Sequence, residues 1–124
     1  MIYVFANDDR GLTAYASQDE AISACEGIDV EANNYRFFSA TGQALRPRVT
    51  RPSTGAFIVI SGEYVLAPDD RPATPGLTAI LSEVSYVEGC GLTNVADVAN
   101  ELERAAKVAA HAPSNKSLER TRER

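Results

Sequence analysis

The 124-residue chain has no tryptophan, one methionine, one histidine and two cysteines. Each scarcity excludes something. With His111 as the single imidazole, most Ser-His-Asp and Cys-His schemes are out of reach, and a base near the chain end is poorly held against its proton. Cys25, Cys90 and His111 are too few, and wrongly spaced, for a zinc site. No apolar run nears the roughly 20 residues of a membrane helix. Residues 1–6 are apolar but carry no basic flank, and they turn polar at Asn7-Asp8-Asp9, too early for a signal peptide. The chain is therefore expected to be unprocessed and cytoplasmic, with its two thiols reduced and buried. Walker loop, dinucleotide fingerprint, His-Glu-x-x-His and nucleophile elbow are all missing, so no cofactor or metal is expected.

What remains is an ordinary globular composition, with 44% hydrophobic and 23% charged residues, enough for one core and too little for two. The net charge is −5 and the pI about 4.8, which argues against a nucleic-acid grip. Residues 111–124 contain a single leucine and read as a charged, disordered or frayed tail of net +2. Residues 1–110 form the expected single domain and carry −7.

Along that domain, residues 2–6 read as a central strand, because both faces are apolar. Residues 7–16 read as a loop. Ser17-Gln18-Asp19-Glu20 is a capping box that starts a helix with Ala21, Ile22, Ala24, Cys25 and Ile28 on one side and Gly27 as its stop. Strands follow at 35–38 and 44–51. The second alternates Leu45, Pro47, Val49 with Arg46, Arg48, and its proline predicts a sheet edge. Residues 56–60 read as the most hydrophobic strand, with 63–66 continuing it or pairing back. Thr74-Pro75 starts a helix, Gly89-Cys90-Gly91 breaks it, and Asn94 caps the last one. The expected fold is α+β: a mostly antiparallel sheet of four or five strands with helices packed on one face, in the order β-α-β-β-β(-β)-α-α.

Several groups invite a chemical reading. Cys90 between two glycines is either an activated thiol or a small residue buried at a tight corner, and the second is favoured. Asp8-Asp9 and Asp69-Asp70 lack the alternating ligand steps of a calcium loop and read as solvated turns. Tyr35, Phe37 and Phe38 resemble a base-stacking platform only superficially; core positions for two of them are favoured. Arg46, Arg48 and Arg51 form a basic stripe, either a phosphate or acidic-partner site or protection of an edge strand. Asp19, Glu20, Glu26, Asp29 and Glu31 fall within thirteen positions with no lysine or arginine among them. Such a run is a solvated face or a surface that steers a basic partner.

The segment Asp19-Glu20-Ala21 … Cys25-Glu26-Gly27-Ile28-Asp29-Val30-Glu31, followed by Tyr35-Arg36-Phe37-Phe38 and Leu45-Arg46-Pro47-Arg48, resembles small bacterial immunity-type proteins encoded beside polymorphic toxins. It spans roughly residues 1–66. The resemblance implies a cytoplasmic, non-enzymatic protein that neutralises a cognate toxin by stoichiometric binding, with no nucleic-acid or membrane partner. Asp19, Glu26, Asp29 and Glu31 are then the expected charged contacts and Tyr35 an anchor, with Arg46 and Arg48 at the partner interface as well. A small enzyme working through Cys90, or a self-associating domain that exposes the 44–50 strand, are the competing readings.

Overall fold

The computed structural model describes residues 1–52, 54, 62–71 and 73–111, without the side chains of Ile28 and His111. The hydrophobic strand expected at 56–60 and the tail from 112 lie outside the described residues.

Ile2–Ala6 (β1) has no polar side, and it sits in the middle of the sheet, buried on both faces. It pairs antiparallel with Gly11–Tyr15 (β2) and with Tyr35–Phe38 (β3). β3 pairs with Ala44–Arg51 (β4), and β4 with Glu63–Pro68 (β5), again antiparallel. Tyr86–Glu88 (β6) joins the far edge, parallel to β2. The order is β5-β4-β3-β1-β2-β6. The α+β class and the mostly antiparallel sheet agree with the sequence; the strand count is six among the described residues.

Two strands arise where none was expected. β2 occupies the supposed loop at 7–16. Its Leu12 and Ala14 point to one face and are buried, while Gly11 reads locally as a turn residue. The glycine is there for another reason: the Tyr86 ring lies where a side chain on Gly11 would be. β6 occupies the stretch expected to end a helix. That helix is short, Leu77–Ile80 (α3), begins after Gly76 rather than at Thr74-Pro75, and tightens into a 3₁₀ turn at Leu81–Glu83.

The helices do not share one face. Side chains alternate across a strand, so β1 sends Tyr3 and Phe5 one way and Ile2 and Val4 the other. Tyr3, Phe5, Leu12, Phe38, Leu77, Ile80, Val98 and Leu102 form one core under α3 and Val95–His111 (α4). Ile2, Val4, Ala21, Cys25, Val30, Phe37, Tyr64 and Leu66 form a second core under Gln18–Ala24 (α1) and Gly27–Glu31 (α2). A strand apolar on both faces needs cover on both, and α1–α2 and α3–α4 supply one layer each.

Local signals place these helices. Ser17 caps α1 by accepting the Glu20 amide at 3.2 Å, and Asn94 caps α4 by accepting the Asp97 amide at 2.9 Å. Gly27 opens α2 instead of stopping α1, which ends at Cys25. A side chain on Gly27 would strike the backbone carbonyl of Gly62, so the glycine permits close approach of two chain segments. Tyr64 of β5 pins this layer: its hydroxyl donates to the Cys25 carbonyl at 2.8 Å.

β4 is internal, flanked by β3 and β5, so the edge position expected from Pro47 is not found. The proline is accommodated because the β3–β4 register covers only Phe37–Leu45 and Phe38–Ala44 and stops short of it.

Candidate functional site

Two charged surfaces stand on opposite faces of the sheet. The first is the outer side of α1–α2. Asp19 and Glu20 lie in the first turn of α1, where carboxylates suit the helix dipole, and both are exposed. Glu26 and Glu31 are exposed, and Asp29 is half-buried. The inward residues Ala21, Cys25 and Val30 are apolar and buried, so the amphipathic pattern drives the five carboxylates outward on one layer. Tyr15, Asp19, Glu20, Ser23 and Ala24 line a shallow hollow of about 460 Å³ there. Tyr35 belongs to this side of the sheet, half-buried, its ring centroid 6.3 Å from that of Phe37. Burial foremost, then the neighbouring Cys25 and Asp29, pushes its hydroxyl above the ordinary pKa.

The second surface is a groove of about 710 Å³ where β3 and β4 stop pairing; its arginines lie on the opposite face, and Tyr35 also reaches its lining. Arg36, Arg46 and Arg71 line it together with Asp69, Phe38 and Pro75. Alternation along β4 places Arg46 and Arg48 on this face, opposite Ala67 and Val65 of β5. Arg36 shares this face, opposite Phe5 of β1, just beyond the point where β3 and β4 stop pairing. Its guanidinium lies 5.4 Å from the Phe5 ring centroid and 4.0 Å from Glu83. Arg46 and Arg48 make no ion pair among the described residues.

Asp69 is the one buried charged side chain among the described residues. Arg71 grips it with a two-pronged contact, Nε to Oδ1 at 2.8 Å and one terminal nitrogen to Oδ2 at 2.5 Å, and the Arg71 amide adds a bond of 3.1 Å. These hydrogen bonds hold the Asp69 carboxyl far below the usual carboxylate range. The carboxylate is 2% exposed and the Arg71 side chain 61% exposed, so a sunken anchor fixes a guanidinium that still faces solvent.

The seven residues expected at a partner interface therefore do not converge. Asp19, Glu26, Asp29 and Glu31 share the α1–α2 layer, and Tyr35 packs beneath that side; Arg46 and Arg48 face away from them. Sequence reading missed Arg36, Asp69 and Arg71 as members of one site. Asp69-Asp70 is expected as a solvated turn, whereas Asp69 is buried and held by Arg71. Asp9 likewise is engaged: it accepts the Gly11 amide at 2.9 Å and the Tyr86 hydroxyl at 2.8 Å. The described residues contain no group of three or more His, Cys, Asp or Glu that could hold a metal ion.

The cysteines are both free. Cys25 is buried, and desolvation pushes its thiol up to about 11. Cys90 is exposed, contrary to the expected buried corner. It joins β6 to α4 in a left-handed run, with φ of 94° at Gly89, 54° at Cys90 and 77° at Gly91. Its Sγ lies 3.5 Å from the Ala14 carbonyl. Phe37 and Phe38 are buried, as favoured over base stacking. None of the described helices is long and apolar enough to cross a membrane.

No family model matches the chain, and no curated protein or solved structure matches it.

Proposed function

We propose that this is a non-enzymatic binding protein of the immunity type, which neutralises a cognate toxin in the cytoplasm by stoichiometric contact through the α1–α2 surface. The observation that carries this reading is the layer itself. Five carboxylates within thirteen residues stand on the outside of two short helices, and a packed sheet fixes the layer from beneath. A negative surface of this kind attracts a basic partner from a distance and orients it on arrival. Tyr35, semi-buried beside the layer, has the amphipathic ring that supplies contact area at low entropic cost. A standard interface needs about 800 Å² from each partner.

The test is a binding measurement with the toxin-like product of the neighbouring gene. A 1:1 complex on gel filtration is expected. Asp19→Lys together with Glu26→Lys lowers the association rate by about tenfold at low salt, and the difference shrinks at high salt. Absence of any complex with that product refutes the reading.

A further inference from the structure

We infer that the arginine groove on the opposite face is a separate binding site for a small organic anion that carries a phosphate or carboxylate group, gripped by Arg46 and Arg71. The inference goes beyond the proposed protein-binding role and does not use the α1–α2 layer.

Four observations converge. First, three arginines, Arg36, Arg46 and Arg71, line one groove, where their like charges repel. Second, β4 is internal, so its arginines do not guard an edge against stray pairing. Third, Arg71 is preorganised. Asp69 occupies its Nε and one terminal nitrogen, which leaves the other donors of an exposed guanidinium directed outward. A guanidinium locked by a buried carboxylate loses little entropy on gripping an oxyanion. Fourth, the groove's volume of about 710 Å³ falls in the range of small-molecule sites, and Phe38 and Pro75 give its wall apolar surface for the ligand's body. Arg46, without an ion pair among the described residues, supplies the second prong.

In this arrangement Asp69 is a positioning residue. Its role separates the proposal from simple charge attraction, because removing a negative charge beside an anion site ordinarily strengthens anion binding. Here Asp69→Asn frees the Arg71 side chain and weakens it.

The experiment is an amide-resolved NMR titration of the full chain with adenosine monophosphate, inorganic phosphate and citrate, with adenosine as the uncharged control. Saturable shifts at Arg46, Ala73 and Thr74 are expected with at least one anion and not with adenosine; the phosphate and citrate arms tell which oxyanion the site prefers. Arg46→Ala, an exposed change that leaves the spectrum folded, and Arg71→Ala each weaken binding by about tenfold or more. Asp69→Asn weakens it also. The inference is overturned if no anion saturates by about 10 mM. It is equally overturned if adenosine binds as well as its monophosphate, if Arg46→Ala binds normally, or if Asp69→Asn binds more tightly.

Discussion

Two buried tyrosines make opposite predictions under the same substitution. Tyr64 and Tyr3 are 5% and 0% exposed, and they lie in the cores on either side of the sheet. The Tyr64 hydroxyl donates to the Cys25 carbonyl at 2.8 Å, the cap position of α1. Tyr64→Phe keeps the ring, and with it the tilted contact to Phe37 at 6.2 Å, but strands that carbonyl. The expected loss is about 1–3 kcal/mol, the cost of a buried acceptor left without its donor. For a domain of this size that lowers Tm by about 4 °C for each kcal/mol. The Tyr3 hydroxyl is buried and has no hydrogen-bond partner among the described residues. Its burial already counts against the fold, so Tyr3→Phe is neutral or raises stability by up to about 1–3 kcal/mol. Urea unfolding of both variants and of the double mutant checks this. Their effects add to within about 0.5 kcal/mol, because separate clusters share no partner. Loss of more than about 1 kcal/mol in Tyr3→Phe, or no loss in Tyr64→Phe, refutes the hydrogen-bond reasoning.

Other outcomes follow from the same geometry. Burial pushes the Cys25 thiol from 9.0 up to about 11 and the Tyr3 hydroxyl from 10.0 up to about 12. The unfolded chain gives up these protons first, so their contribution to stability is intact below about pH 9 and is lost as pH rises through 11 and 12; denaturant midpoints measured across that window should fall. In native protein a thiol reagent modifies Cys90 alone, and Cys25 reacts only on unfolding, which mass spectrometry resolves. Gly89→Ala drives a side chain into the Ala14 carbonyl at a φ of 94°, and is expected to cost more than about 2 kcal/mol in urea unfolding, whereas Cys90→Gly is neutral or stabilising. Gly11→Ala displaces the Tyr86 ring, and the Asp9 carboxyl, held low first by the Gly11 amide and then by the Tyr86 hydroxyl, moves back toward its ordinary pKa, as a carbon-detected titration would show.

Elements whose signals are local were legible in the sequence. The Ser17 and Asn94 caps, the apolar β1 and the alternation along β4 each rest on neighbours in the chain. Whatever depends on a distant partner was not. Gly27 looks like a helix stop until Gly62 is seen against it, and Gly11 looks like a turn until Tyr86 is seen over it. β6 has three residues and exists because β2 offers it an edge. The two-sided apolar character of β1 was noticed, but its consequence, cover on both faces, requires counting helix faces and not only helices. The charged residues show the same limit. Period-two spacing in β4 gives the arginines one face, while only the folded sheet shows that the acidic helices lie behind it and that Arg36 and Arg71 line the same groove as Arg46.

A sheet padded on each side by its own set of interior residues divides the chain's evolutionary freedom. Carboxylates on one flank and guanidiniums on the other rest on different interior clusters, so an exchange of surface charge on one side leaves the packing beneath the other unchanged.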